Sequence, residues 1–141
     1  MLFRSNLAEY GITERIYELA HSGAQIARSV ADEYRKKDGR QRWVLGSIGP
    51  GTKLPTLGHV TYTELEAAYW DCSRGLLDGG SDALLIETTQ DLLQAKAAVN
   101  GARRAINDSG RDIVLIAQVT VETTGTMLLG SEIGEIGRAH V

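Results

Sequence analysis

One cysteine, two prolines and one phenylalanine stand among the 141 residues of this chain. Cys72 alone closes no disulfide within the chain, and a lone thiol cannot supply the clustered ligands of a structural zinc site. A disulfide scaffold is therefore excluded. Long apolar runs are also missing. Stretches such as 113–117 and 83–86 fall far short of the roughly 20 residues a spanning helix needs. Charge of one sign is lacking as well: 15 Lys and Arg against 18 Asp and Glu give −3, too mild an imbalance to point to nucleic acid or a membrane surface. Residues 1–5 are followed by no apolar signal-peptide core, so a reducing cytoplasm is the expected setting. What is present, 43% hydrophobic and 23% charged residues, suffices for a buried core in a single domain and excludes disorder.

The apolar pattern alternates between two periods. Over 12–37, Ile16, Leu19, Ala20, Gly23, Ile26, Ala27 and Val30 recur at helical spacing. Thr13 is the candidate N-cap, while Lys36, Lys37 and Gly39 suit the far end. A short apolar strand follows at 43–49, then a Gly/Pro-rich loop to Gly58. Thr61 with Glu64 makes a capping box, and Leu65, Ala68, Tyr69, Cys72 and Leu76 line one face of a second helix that Gly79 and Gly80 terminate. A second strand is predicted at 83–88, and a third helix carries Leu92, Ala95, Val99, Ala102 and Ile106. The third strand runs from Ile113 to about Val121. The order is αβαβαβ. Strands that are apolar throughout are expected to be buried on both faces, and helices between them make them parallel. An open doubly wound sheet and a (β/α)8 barrel both satisfy that order. A complete barrel needs about 250 residues, so three strands would be a piece of one.

The run Val44-Leu45-Gly46-Ser47-Ile48-Gly49-Pro50-Gly51-Thr52-Lys53, the strand end Leu85-Ile86-Glu87-Thr88 with Asp91 and Ala95-Lys96-Ala97-Ala98-Val99 behind it, and Thr123-Thr124-Gly125-Thr126-Met127-Leu128-Leu129-Gly130 together resemble the homocysteine-binding domain of cobalamin-dependent methionine synthase. The likeness covers nearly everything from Asn6 to Gly134, in order and spacing. It implies a partial (β/α)8 TIM barrel, α/β in class, holding about strands 3–5. It also implies a parent enzyme that moves a methyl group from methylcobalamin to homocysteine with the help of zinc. In the family three cysteines beyond this stretch hold that zinc, so no metal ligand and no catalytic residue is expected here. Zinc and cobalamin belong to the parent, and neither is expected to bind this stretch. A stand-alone methyltransferase using betaine or S-methylmethionine shares the barrel, and an inert fragment prone to self-association is the alternative from another class.

The two ends carry a separate signal. Residues 1–5 are what GTG CTC TTC CGA TCT encodes, and residues 136–141 are what ATC GGA AGA GCA CAC GTC encodes. These are opposite strands of a common sequencing adapter. Residues 6–134 are accordingly expected to be the barrel stretch, with 1–5 and 135–141 derived from adapter.

Glu87 is the leading candidate for function. It ends an apolar strand, and the C-terminal strand ends of a parallel α/β architecture form the ligand face. Two readings stand level on the residues: a carboxylate for a ligand cation, or a charge complementing the next helix N-terminus, with Thr88 or Thr89 capping. The resemblance adds that a glutamate at this motif position pairs with the substrate's amino group. Gly49 and Pro50 read as a strand-end turn at the substrate mouth, with a purely structural turn equally open, and Thr88 joins them as a substrate-binding candidate. A Walker loop fails on register, since Gly51 is followed by Thr52-Lys53-Leu54. Cys72 reads as a small buried hydrophobe, and His21 and His59 as surface or helix-flanking residues. Gln118 and Thr120 are open as to which side of the third strand they take. Arg35, Lys36, Lys37, Arg40 and Arg42 form a solvated helix end.

Overall fold

A computed structural model describes residues 13–138. The expected ends at 1–5 and the last residues, including His140, lie outside the described residues. A 3-10 turn, Thr13–Arg15, leads into α1 (Ile16–Asp38); β1 (Leu45–Ile48), α2 (Tyr62–Asp78), β2 (Ala83–Thr89), α3 (Leu92–Ser109) and β3 (Val114–Val119) follow, and a short helix, α4 (Ile133–Arg138), ends the described chain. The strands are parallel, in the order β1-β2-β3, so the αβαβαβ order is the one the sequence predicts.

Local signals explain most boundaries. The Thr61 side chain accepts from the Glu64 N–H while the Glu64 carboxylate accepts from the Thr61 N–H, a complete capping box at the start of α2. Gly39 closes α1 in the left-handed region (φ 70°), donating to the Arg35 carbonyl at 2.9 Å. Thr13 does not cap α1. It sits inside the 3-10 turn, and Arg15 takes the N-cap position without a side-chain capping bond, its guanidinium donating to the Glu18 carboxylate instead. The tighter turn absorbs residues 13–15 before α-helical geometry begins.

Ile48, Leu84 and Ile86 point from the sheet into one core with Leu65, Ala68, Tyr69, Cys72 and Leu76 of α2 and the alanine-rich face of α3. Small residues bring these two helices together. A Cβ on Gly101 would lie 2.7 Å from the Glu66 carbonyl oxygen and 2.8 Å from the Trp70 nitrogen, so only glycine permits the approach. Each fully buried Leu or Ile contributes roughly 1.5–3 kcal/mol.

The three long helices, α1, α2 and α3, lie on one face only. Burial alternates along β1 and β2, with Gly46, Ile48, Leu84 and Ile86 covered while Leu45, Ser47, Leu85 and Glu87 take the other side. Val114 is 64% exposed. The expectation of strands buried on both faces is thus not met, because no layer among the described residues covers the second face. A doubly wound sheet carries helices on both faces and reverses its strand order; chain-ordered strands with the three long helices on one side are the geometry of one sector of a (β/α)8 barrel.

The stripe predicted for α1 also splits. Ile16, Ala20, Ala24 and Ala31 are buried, whereas Leu19, Ile26 and Val30 are exposed. Leu19, Gly23 and Ala27 instead line a groove of about 400 Å³ beside the outer edge of β1, with Leu45, Cys72 and Leu76 on its other walls. Among the described residues no strand pairs with the outer edge of β1, and the helix beside that edge leaves part of its apolar surface exposed. At the N-terminal end of the strands, Arg28 fastens α1 to the sheet, donating to Asp82 at 2.8 Å and to the Arg42 carbonyl at 3.2 Å, while Asp82 accepts from the Val44 N–H at 2.7 Å.

Candidate active site

The pairing of β1 with β2 sets Ser47 against Leu85 and Ile48 against Ile86. Side chains two apart on a strand share a face, so Ser47 and Glu87 stand on the same uncovered side. The Ser47 hydroxyl donates to Oε1 of Glu87. Both are half-buried. No Lys, Arg or His among the described residues pairs with Glu87. A desolvated carboxylate without a cation is costly unless donors satisfy it, and here one hydroxyl does so in part.

Directly after Glu87 the ladder slips. Ile86 pairs with Ala117, but Thr89 pairs with Val119, so β2 holds one residue more than β3 across this step, a β-bulge. Thr88 carries it at φ 58°, a left-handed conformation that a β-branched residue rarely takes. Thr89 then rejoins the sheet, its hydroxyl donating to the Gln118 carbonyl at 2.9 Å and its own carbonyl accepting from Thr120 at 2.8 Å. Bulges beside sites re-aim side chains. The register places Gln118 beside Glu87 on the open face, where it is exposed.

Gly49 and Pro50 follow β1 at this same end, and the loop they open is tied down by α3. Gln94, fully buried, donates through Nε2 to the carbonyls of Gly51 and Lys53, each at 3.3 Å. Asp91, 1% exposed, accepts from the Thr56 N–H (3.1 Å) and hydroxyl (2.8 Å) and caps α3 through the Leu93 N–H (2.8 Å). The helix is therefore capped by Asp91, not by Thr88 or Thr89, and Glu87 stays on the strand. Ser47 and Gln94 escaped the sequence reading. A hydroxyl inside an apolar strand and a carboxamide inside an apolar helix stripe were the available signals.

The remaining candidates fall elsewhere. Cys72 is fully buried, and burial, with the charge of Asp71, pushes its thiol up to about 12. Burial likewise pushes up the Tyr69 hydroxyl. Among the described residues no group of three or more His, Cys, Asp or Glu is placed to hold a metal ion, so these residues do not fit a zinc site. His59 accepts from the Leu54 N–H at 3.3 Å and His21 stacks on Tyr17. Within the basic helix end, Arg42 forks onto Asp38, holding that carboxyl down to about 2. No helix of the described residues is long and apolar enough to cross a membrane.

The family profile for homocysteine S-methyltransferase matches residues 2–140. This chain belongs to the homocysteine S-methyltransferase family. Methionine synthase of Mycobacterium tuberculosis is 62% identical over 130 residues, and that of Mycobacterium leprae 59% over the same length; each alignment covers 92% of this chain and 11% of the relative. The chain thus spans about a tenth of the length of these relatives. Among solved structures, the apo homocysteine methyltransferase MmuM from Escherichia coli superposes with a TM-score of 0.68 at 18% identity, over 86% of this chain and 43% of its own. The homocysteine S-methyltransferase family is an enzyme family, and in this member Gly49 and Pro50 follow β1 at the sheet end where Glu87 and Thr88 lie on β2.

Proposed function

We propose that this stretch is a sector of the homocysteine-binding barrel of a cobalamin-dependent methionine synthase. The parent transfers a methyl group from methylcobalamin to homocysteine, which zinc activates by lowering the pKa of its thiol, and it works in the cytoplasm. In this reading the zinc ligands come from barrel strands outside the chain. Glu87 receives the amino group of homocysteine, and Gly49, Pro50 and Thr88 border the mouth. The 141-residue chain by itself is inactive, and its open apolar face favours self-association. The observation that carries the reading is Glu87: a half-buried carboxylate at a strand's C-terminal end, with no cation partner among the described residues and one oxygen already oriented. The 62% identity to a methionine synthase favours methylcobalamin over betaine or S-methylmethionine as donor.

Glu87→Gln in the full-length protein tests this. Losing a charge-assisted contact costs about 2–3 kcal/mol, tens- to over a hundredfold in homocysteine affinity, with zinc content unchanged. Unaltered affinity at full zinc occupancy refutes the assignment.

A further inference from the structure

We infer that Ser47 is the residue that positions Glu87 for a primary ammonium group; the inference rests on the reading of Glu87 just given. A glutamate at the end of a strand turns about three side-chain torsions, and the bulge at Thr88 withdraws the regular ladder at the next residue. Nothing in the backbone therefore fixes the carboxylate plane. Ser47 does so from the neighbouring strand, its hydroxyl donating to Oε1. On β1 and β2 the neighbours on this face are apolar, Leu45 two residues back and Leu85 directly across, and Gln118 on β3, exposed beside Glu87, makes no hydrogen bond to the pair. A hydroxyl in such surroundings spends its single proton on the nearest acceptor.

That commitment decides what the pair can bind. With its proton on Oε1, Ser47 Oγ keeps only lone pairs for other partners, and Glu87 keeps Oε2. The two side chains together form an acceptor-only notch. An –NH3+ group, with three donors, fits such a notch; a quaternary ammonium offers no N–H and gains only the charge. Ser47 thus sharpens recognition of an amino acid's free ammonium, acting through the orientation of Glu87 as well as through its own oxygen.

The test is a double-mutant cycle in the full-length protein, reading the homocysteine Kd, KM, kcat and zinc content. Ser47→Thr keeps the hydroxyl and adds one methyl group, and Ser47→Val has the shape of that threonine with the hydroxyl replaced by a methyl group; both β-branched residues suit a strand. Ser47→Val is expected to raise Kd and KM about tenfold, the effect of one hydrogen bond to a charged group, with kcat at saturating homocysteine and zinc content unchanged. Ser47→Thr should bind within about twofold of the parent. In a Glu87→Gln background the Ser47→Val loss should shrink well below its value in the parent, since the interaction it removes is already weakened. Equal losses for Val and Thr, or the same Val effect in both backgrounds, overturn the role of Ser47 while leaving Glu87 in place. A Glu87→Gln protein with unchanged affinity overturns the underlying reading as well.

Discussion

Asp91 receives both the backbone N–H and the hydroxyl of Thr56, at 3.1 and 2.8 Å, while it caps the helix that begins at Leu92. One carboxylate therefore fastens two structures to each other: the loop that follows β1 and the first turn of α3. Both border the strand end that carries Glu87.

Replacing Asp91 with Ala removes a cap worth about 0.5–2 kcal/mol and the two bonds from Thr56, an exposed residue whose donors then turn to water, at about 0.5–1.5 kcal/mol more. A total loss of about 1–3 kcal/mol is expected in urea unfolding of the full-length protein. Asp91→Asn, which retains one acceptor oxygen, should lose less. Equal stability of the Ala variant and the parent would show that the latch contributes nothing.

Most of this architecture was legible in the sequence because it is set locally. Thr61 with Glu64, Gly39 after a basic turn, and three apolar strand runs each carry their own signal within a few residues. Two features were not legible. The exposure of Leu19, Ile26 and Val30 depends on what lies beside the outer edge of β1, which no periodicity within α1 encodes. The bulge at Thr88 depends on the register between β2 and β3, and a threonine in a strand-like run gives no warning of a left-handed conformation. Within the site, Glu87 was visible because a charge closing an apolar run is conspicuous. Ser47 was not, since its meaning comes from Glu87, forty residues away.

The contact between α2 and α3 yields a packing prediction. At Gly101 an added methyl group meets the Glu66 carbonyl oxygen at 2.7 Å and the Trp70 nitrogen at 2.8 Å, backbone atoms that cannot swing aside. Gly101→Ala should cost about 1–3 kcal/mol or more through forced separation of the helices. Gly49→Ala meets nothing within 4 Å and should leave stability within about 0.5 kcal/mol. Urea midpoints of the two variants measured side by side decide the matter, and a neutral Gly101→Ala would contradict the packing.

Thr88 pairs strain with position. A non-glycine residue in the left-handed region costs roughly 1–2 kcal/mol, and glycine returns about 0.5–1 kcal/mol of that as chain entropy. Thr88→Gly is therefore expected to leave stability unchanged or raise it by about 1 kcal/mol. If the bulge aims Glu87, the same substitution loosens the aim and weakens homocysteine binding severalfold. A stabilised protein with unaltered KM would mean that the strain has no part in binding.

Alkaline pH tests the buried side of the sheet. Burial pushes the Cys72 thiol up to about 12, against an ordinary value near 8.5. Between about pH 9 and 12 the folded chain keeps this proton while the unfolded chain releases it. The unfolded state then binds fewer protons, so stability must fall as pH rises, by about tenfold in the folding equilibrium constant per pH unit for each such group. The Tyr69 hydroxyl, also pushed up by burial, adds a second group above about pH 10. Cys72→Ala lowers stability at every pH by the cavity it leaves, but it removes the part of the slope between pH 9 and 10. Urea midpoints of parent and variant at pH 7, 9 and 10 measure that difference. The thiol should also resist alkylation at pH 8 and react fully in denaturant, because the reactive thiolate is scarce in the fold. Rapid labelling of Cys72 in native buffer, or parallel pH profiles for parent and variant, would show that the core around α2 is open to water.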